Sequence, residues 1–208
     1  EEHSNTIWII LLFIYSSIAS LLPVWFLLQP RDYINSHQLI VGLILIFLGI
    51  FVAAPEVDAP AIRIITEPGA PSIFPMLFVT IACGAISGFH GLVSSGTTSK
   101  QISKLSDARF IGYGGMLGEG VLALASTMAA VAGIALVSQC TLPSIGMVEN
   151  LSWAIYYDNW AHAATNKATA FVLGGGALIE QLGLPHKIAT TLMAVLVISF
   201  AATTLDTA

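Results

Sequence analysis

The charge-free stretch HQLIVGLILIFLGIFVAA (37–54) decides the fold class of this chain. An apolar run of about 18 residues, coiled as a helix, is long enough to cross the hydrocarbon core of a bilayer. Several other runs of similar length also lack charged residues. The sequence therefore predicts an all-α, polytopic transmembrane helix bundle, because repeated long apolar runs are typical of spanning helices rather than of core strands.

The composition supports a membrane protein and argues against several other classes. Of the 208 residues, 56% are hydrophobic and 9% are charged, whereas soluble domains contain about 25% charged residues. Basic residues never cluster in groups larger than three, which argues against a nucleic-acid partner. Cys83 and Cys140 lack zinc-site spacing, so we expect two small buried side chains and neither a metal site nor a cofactor.

The apolar runs predict six membrane segments within a single transmembrane domain portion over residues 1–208. Their predicted ranges are 7–28, 37–54, 73–95, 113–137, 168–184 and 188–205. Pro23 is expected to kink the first segment, and QPRDY (29–33) to turn the chain. The chain begins without an initiator methionine and stops directly after an apolar run, so we expect a piece of a larger transporter fold, truncated at both ends.

Three other stretches are expected to interrupt regular spanning helices. Residues 55–75 contain five prolines and predict an extramembrane or re-entrant loop. Residues 141–167 mix aromatic and polar groups and predict an interfacial or re-entrant stretch. The run KATAFVLGGGALIEQLGL (167–184) is short and is expected to be broken by its glycines. The number of crossings after residue 140 stays open.

The orientation follows from the basic residues of the short loops. The loop that carries Lys100, Lys104 and Arg109 is the most basic, so it is expected to be cytoplasmic. The second segment must then begin on the same side, which places Arg31 inside as well. The acidic 55–72 loop is expected outside.

A polar stripe crosses the third segment, which carries CGAISGFHGLVSSGTTSK (83–100). At 100° per residue, Cys83, Ser87, His90 and Ser94 fall within a stripe about 60° wide. Such a row is costly when it faces lipid, so it predicts a cavity or a neighbouring helix. Gly84 and Gly88 form a G-x-x-x-G pair that lets another helix approach.

The run SSGTT (94–98) disfavours a continued helix, so we expect the third segment to break there. Exposed backbone groups at membrane depth are tolerated where they line a cavity, as at many transporter substrate sites. The predicted substrate-binding residues are Ser87, Gly88, His90, Ser94, Ser95, Gly96, Thr97 and Thr98. Back-bonding of serine and threonine hydroxyls to the helix's own carbonyls is the structural alternative. Backbone N–H groups, rather than an arginine, are expected to hold a substrate carboxylate.

Two residues are candidates for proton coupling. An imidazole changes charge between about pH 5 and 8 and is a functional candidate inside a membrane, which favours His90. Glu119 is the second candidate, because a carboxyl in an apolar span binds a proton more readily than one in water. Glu180 has two interpretations: it could also couple protons, or it could cap or end a half-helix. Asp158 and His162, at positions i and i+4, predict an interfacial salt bridge.

The sequence resembles the carbon starvation protein A family of bacterial inner-membrane transporters. The resemblance is carried by LPVWFLLQPRDYIN (22–35), PMLFVTIACGAISGFHGLVSSGTTSKQI (75–102), IGYGGMLGEGVLALAS (111–126) and FAATTLDTA (200–208). It implies a fold of inverted repeats and discontinuous helices, and proton-driven uptake of peptides or pyruvate during carbon limitation. The family motif matches Ser87, Gly88, His90, Ser95, Gly96, Thr97, Thr98 and Lys100.

Three classes of function remain to be compared. The first is a secondary active transporter that binds a small molecule and protons. The second is a membrane sensor or anchor subunit, in which the polar stripe only packs helices. The third is an intramembrane enzyme that uses His90 and Glu119. Walker A, G-x-S-x-G and H-E-x-x-H motifs do not occur in the sequence, so we expect no enzyme and no catalytic residue.

Overall fold

The computed structural model describes residues 2–23, 25–62, 72–85, 88–142 and 146–207. Most of these residues are helical, as an all-α membrane fold requires. The α-helices are α1 (Glu2–Leu21), α2 (Leu28–Ala53), α3 (Phe78–Ala85), α4 (Gly88–Val93), α5 (Ser99–Gln101), α6 (Asp107–Met128), α7 (Trp153–Tyr156), α8 (Trp160–Thr165), α9 (Lys167–Glu180) and α10 (His186–Thr207). The remaining elements are π-helical turns at Ile73–Leu77, Ser94–Thr98 and Ala129–Gly133, a 3₁₀ turn at Ile134–Leu136, and strands β1 (Gln139–Leu142) and β2 (Gly146–Glu149).

The first two helices begin and end earlier than the sequence predicts. Helix α1 ends at Leu21, before Pro23, so the expected kink inside a helix is wrong. Helix α2 already begins at Leu28, so QPRDY does not turn the chain but forms the first turns of this helix. Pro30 is tolerated there because the first N–H groups of a helix have no intrahelical acceptor to lose.

Three helices of the described part of the chain are long and apolar enough to cross a membrane. They cover Gln29–Ala53, Asp107–Leu136 and His186–Thr204, and the apolar helix over Thr6–Leu21 is shorter. The second of these starts at the acidic end of α6 and continues through the π and 3₁₀ turns. It therefore begins six residues before the predicted segment, which started at residue 113.

Helix α9 lies at the centre of a helical core that we define as α2, the 125–136 end of the α6 helix, α9 and α10. One buried cluster of this core contains Ile46, Ala125, Ala129, Leu178, Ile179, Ala189 and Met193. These side chains come from all four elements, so burial of apolar surface in this cluster joins the four helices.

The glycines of α9 allow this close packing. A Cβ added to Gly174 would collide with the carbonyl of Ala129, and one added to Gly175 would collide with the Met193 side chain. On α2, a Cβ at Gly49 would collide with the carbonyl of Leu178. The prediction that the glycines break α9 is therefore wrong: the helix runs through them, and they remove the side chains that would hold its neighbours apart.

A polar contact also joins α2 to α10. The side-chain amide of Asn35 donates to the Thr203 hydroxyl at 2.6 Å, and this hydroxyl donates to the Ser199 carbonyl at 2.9 Å. Asn35 is buried. A buried amide needs such a partner, because an unpaired polar group in an apolar interior costs free energy.

Residues 139–165 form a compact subregion that the sequence predicts only as an interfacial or re-entrant stretch. Strands β1 and β2 pair antiparallel, with Gln139 opposite Glu149 and Leu142 opposite Gly146. A second buried cluster joins the hairpin and α7 to the helices and contains Ile134, Val137, Leu142, Leu151, Tyr156, Ala170 and Ala177. The hairpin therefore packs on the end of α6 and on α9.

Candidate functional site

The predicted substrate residues fall within a stretch that we call the polar arm, residues 73–101, whose described parts, 73–85 and 88–101, are helical. Gly88 begins α4, and the backbone of His90 lies two residues further along this helix. Ser87 and the side chain of His90 lie outside the described part of the structure. Ser94, Ser95, Gly96, Thr97 and Thr98 form the following π-helical turn.

The predicted break at residues 94–98 is wrong. The residues that flank this turn, Val93 and Ser99, both have helical backbone angles, and the Ser99 amide donates to the Ser94 carbonyl. The helix then continues through Lys100 and ends at Gln101, because Ile102 is extended. The segment is widened rather than broken, and a π turn of this kind often marks a functional site.

The serine hydroxyls explain why the backbone stays helical. Ser94 donates to the Gly91 carbonyl at 3.0 Å, and Ser95 donates to the Leu92 carbonyl at 3.1 Å. Ser99 donates to the Ser95 carbonyl at 2.6 Å. These back-bonds pair the hydroxyls within the helix, so polar side chains do not require an open loop. The same geometry removes the basis for a carboxylate site made of free backbone N–H groups.

Part of the π turn nevertheless lines an open groove. The groove has a volume of about 420 Å³ and is lined by Trp25, Gln29, Gly96, Thr97, Lys100 and Gln101. The side-chain amide of Gln29, at the start of α2, lies 3.5 Å from the side-chain oxygen of Gln101. The groove thus combines one cation, two side-chain amides, one hydroxyl and one indole ring.

The sequence predicts Arg31 in a turn, but the structure places it inside a helix. Arg31 lies in the second turn of α2, and its side chain is only 15% exposed. Its guanidinium contacts the Asp32 carboxylate at 3.4 Å. Arg31 thus lies within the apolar helix Gln29–Ala53, so its position does not support the expectation that backbone N–H groups rather than an arginine hold a substrate carboxylate.

Glu119 lies in the middle of α6, on an exposed part of that helix. The neighbouring glycines, Gly118 and Gly120, have no described atom within 4 Å of an added Cβ. Among the described residues, α6 and the polar arm share few contacts, and the coupling roles of Glu119 and His90 stay predictions.

Two connecting stretches lie at the two ends of the long helix that begins with α6, and their sides of the membrane stay predictions. The start of α2 and the end of the polar arm meet at Gln29 and Gln101. At the other end, the Asp58 amide donates to the Val131 carbonyl at 3.0 Å. The 55–62 loop thus contacts the far end of the long helix, whereas residues 102–106 lead into its start.

One site that the sequence does not predict lies beside α9. We call it the His162 cluster, and it consists of His162, Tyr156 and Asn166. His162 is 6% exposed, and its ring lies 5.1 Å from the ring of Tyr156, centroid to centroid, in an edge-to-face arrangement. Its Nδ1 atom lies 3.2 Å from the side-chain amide nitrogen of Asn166. The i, i+4 spacing with Asp158 predicts a salt bridge, but a charged pair at the surface does not explain this burial.

Asn166 connects the cluster to α9. Its backbone amide and its side-chain amide both donate to the His162 carbonyl at 3.0 Å. Its own carbonyl accepts the Tyr156 hydroxyl at 2.7 Å and the Ala170 amide at 3.3 Å. Because Asn166 follows α8 and precedes α9, it is the junction between the two helices.

The two tyrosines and the cysteine in and near the His162 cluster stay protonated at physiological pH. Burial, with a smaller contribution from the nearby Tyr157, raises the pKa of Tyr156 to about 12. Burial also raises the pKa values of Tyr157 and Cys140. These groups therefore stay neutral across the physiological pH range, in which a histidine can change its charge.

Glu180 ends α9, as one of its two sequence interpretations predicts, and its carboxylate lies 3.1 Å from Nδ1 of His186. Among the residues that the structure describes, no group of three or more His, Cys, Asp or Glu side chains could hold a metal ion.

Comparison with known proteins identifies the family. The family model for the carbon starvation protein CstA matches residues 2–208. The chain belongs to this family. The family resemblance seen in the sequence is thereby confirmed, and the chain is a helical membrane protein. No solved structure matches it.

Individual relatives have transporter names. The chain is 45% identical to the peptide transporter CstA of Helicobacter pylori over 133 residues, which are 62% of this chain and 19% of that protein. It is 47% identical to the pyruvate/proton symporter BtsT of Escherichia coli over 120 residues, 56% of this chain and 17% of that protein. It is 40% identical to the peptide transporter CstA of Escherichia coli over 146 residues, 68% and 20% respectively. The matches thus span about a fifth of the length of these curated relatives.

Proposed function

We propose that this chain is part of a secondary active transporter that takes up peptides or pyruvate with protons across the bacterial inner membrane. Membership of the CstA family carries the proposal, and it is supported by relatives that are named peptide transporters and a pyruvate/proton symporter. The response to carbon starvation follows from the family's name.

We further propose that the groove at the π turn contributes to the substrate site. Pyruvate and peptides share a carboxylate, and Lys100 supplies a positive charge to this groove. Gln29 and Gln101 add amide donors, and Thr97 adds a hydroxyl. Charge-assisted hydrogen bonds from an ammonium to a carboxylate are stronger than neutral ones, so Lys100 is the residue whose loss should weaken binding most.

The proton-coupling role remains assigned to the intramembrane candidates His90 and Glu119, with His90 preferred because it lies one helical turn before the π turn. Gly88 lies at the start of the helix that carries His90, and Ser87 stays a predicted substrate-binding residue. Loss of the titratable ring in His90→Gln should leave substrate exchange intact and abolish uphill uptake that is driven by a pH gradient.

The experiment is uptake by the complete protein in proteoliposomes, with labelled pyruvate and labelled di- and tripeptides. The transporter predicts saturable accumulation, whereas a sensor, an anchor subunit or an intramembrane enzyme predicts none. Lys100→Gln should raise KM for the transported substrate about tenfold, which corresponds to the loss of about 1.4 kcal/mol of binding.

Lys104→Gln is the matched control, since it removes the same charge four residues further along the chain without removing a residue that lines the groove. Its KM should stay within about twofold of the wild-type value. Equal KM changes in the two variants would remove the groove from substrate binding and leave only a general effect of charge.

A further inference from the structure

We propose that His162 is a second proton-binding site of the transporter and that Asn166 transmits its protonation to α9. The inference rests on the proposed proton-coupled function, but its evidence is the geometry of the α8–α9 junction. Neither residue belongs to the polar arm, and the cluster lies at the opposite end of α6 from the Lys100 groove, because Trp153, which begins α7, donates its amide to Asp58 at 2.6 Å.

The hydrogen bonds define the neutral state of His162. The Asn166 amide group donates both to the His162 carbonyl and to Nδ1. An amide NH₂ only donates, so Nδ1 is an acceptor and the ring of neutral His162 carries its proton on Nε2. The side chain of Asn166 therefore matches the neutral ring and does not match the imidazolium.

Protonation of Nδ1 would place one donor against another. Asn166 can accept from the new N–H if its amide rotates by 180°, which brings Oδ1 to the ring. The rotation gives up the side-chain hydrogen bond to the His162 carbonyl, because Oδ1 cannot donate. Binding of the proton thus changes the hydrogen bonds at the α8–α9 junction. The N–H bond at Nδ1 is the one covalent bond that forms.

The charges around the ring determine how this site responds to pH. The titratable and charged groups on the surrounding elements are Tyr156 on α7, Tyr157 directly after it, Cys140 and Glu149 on the hairpin, Glu56 and Asp58 in the 55–62 loop, Asp158 before α8, and Lys167 and Glu180 at the two ends of α9. Of these, the Tyr156 ring is in direct contact with His162, and it stays neutral. Asn166 contacts Nδ1 directly, so a proton bound there changes the hydrogen bonding of Asn166.

Helix α9 would carry the change into the core. The Asn166 carbonyl accepts the Ala170 amide at the start of this helix. Further along, the backbone at Gly174 lies against Ala129, and Gly175 lies against Met193. Because these atoms are already in close contact, a shift at the start of α9 would displace its contacts with α6 and α10.

The location also suits a proton site. The basic 100–109 loop is expected to be cytoplasmic, and the His162 cluster lies at the other end of α6, with the 55–62 loop. That end would face the outside, from which an inward proton gradient delivers protons.

The test uses Asn166→Asp in the complete protein. A carboxylate within hydrogen-bond distance of Nδ1 favours the charged ring. The midpoint of the pH profile of uptake should therefore move to higher pH, by about one unit. His162→Gln, whose side chain cannot take up a proton in this range, should flatten this part of the profile while counterflow exchange continues. His186→Gln is the matched control, because it removes an exposed histidine outside the cluster.

Superimposable wild-type, Asn166→Asp and His162→Gln profiles would overturn the proposal. A second readout separates it from the transport function: NMR of the isotope-labelled histidine rings, with the His162 signal assigned by its loss in His162→Gln. If the wild-type protein transports nothing, the proposed function fails, yet the proton site still requires the His162 midpoint to move upward in Asn166→Asp. An unmoved midpoint would overturn the site. Asn166→Asp keeps the size of the side chain, so this arm remains informative if His162→Gln does not fold.

Discussion

The helical core and the polar arm differ most in what surrounds their glycines. In the core, added Cβ atoms at Gly49, Gly174 and Gly175 would collide with neighbouring helices. In the arm, Gly84, Gly88, Gly91 and Gly96 have no described atom within 4 Å of an added Cβ. The same residue type therefore serves close helix packing in one region and leaves an open helix face in the other.

Polar side chains differ between the two regions in a parallel way. In the core and its adjoining cluster, polar groups bond between elements, as Asn35 does with Thr203 and Tyr156 does with Asn166. In the arm, the hydroxyls of Ser94 and Ser95 bond to their own helix. The core thus has internal partners for its polar groups, whereas the open face of the arm is free to line a groove.

The largest expected effect is at the closest glycine contact. Gly174→Ala would place a methyl group against the Ala129 carbonyl, which backbone atoms cannot avoid by changing a rotamer. We expect a loss of about 3 kcal/mol in the free energy of unfolding, as for other overpacked cores. Thermal unfolding of the complete protein in detergent would measure it.

Gly91→Ala is the matched control in the arm, where the described residues leave room for a methyl group. Its stability should change by less than about 1 kcal/mol, since alanine is also the better helix former. Equal losses in the two variants would break the comparison, because they would show that the arm is packed as closely as the core.

The difference between the two regions also explains what could be predicted from the sequence. Three of the six predicted apolar segments overlap helices of the described chain that are long enough to cross a membrane, and the family motif locates the polar arm. The role of Gly174 was not predictable, because glycine weakens an isolated helix and only a neighbouring backbone makes it favourable. The helical path through Ser94–Thr98 was missed for a similar reason: the back-bonds of the hydroxyls compensate for poor helix formers.

The helix boundaries and the His162 cluster could not be predicted from local sequence patterns, because both depend on the surrounding structure. Helix α2 begins at Leu28, and Pro30 falls within its first turn, where proline is tolerated. From the sequence, His162 is predicted to form an interfacial salt bridge with Asp158. In the structure it is buried beside Tyr156, on α7, and Asn166, at the α8–α9 junction. The proximity of these residues follows only from the tertiary fold.

A smaller effect is expected from the ionisation of Tyr156 at high pH. Its pKa is raised to about 12 in the fold, compared with about 10 for an exposed tyrosine. The stability that its neutral form provides is complete below pH 10 and is lost as the pH rises from about 10 to 12, because the unfolded chain ionises first. The loss should be roughly 2.7 kcal/mol.

Unfolding midpoints of the complete protein at pH 9 and pH 11.5 would measure this effect. Tyr156→Phe should lower stability at pH 9, since the hydroxyl bond to Asn166 is lost, but it should reduce the further loss at high pH. Tyr113→Phe is the control, because Tyr113 is exposed on α6. An alkaline loss that is identical in wild type and Tyr156→Phe would contradict the assignment.

The most direct test of the account is whether transported substrate covers the groove of the arm. Thr97 would be changed to cysteine in the complete protein, after its native cysteines have been replaced, and its rate of reaction with a maleimide measured with and without pyruvate or a peptide. Leu105, which is 91% exposed in the loop after the arm, gives the control position. We predict that a substrate taken up by the protein slows labelling at position 97 severalfold and leaves position 105 unchanged. Equal labelling rates at position 97 with and without saturating substrate, in protein that still transports it, would contradict the account.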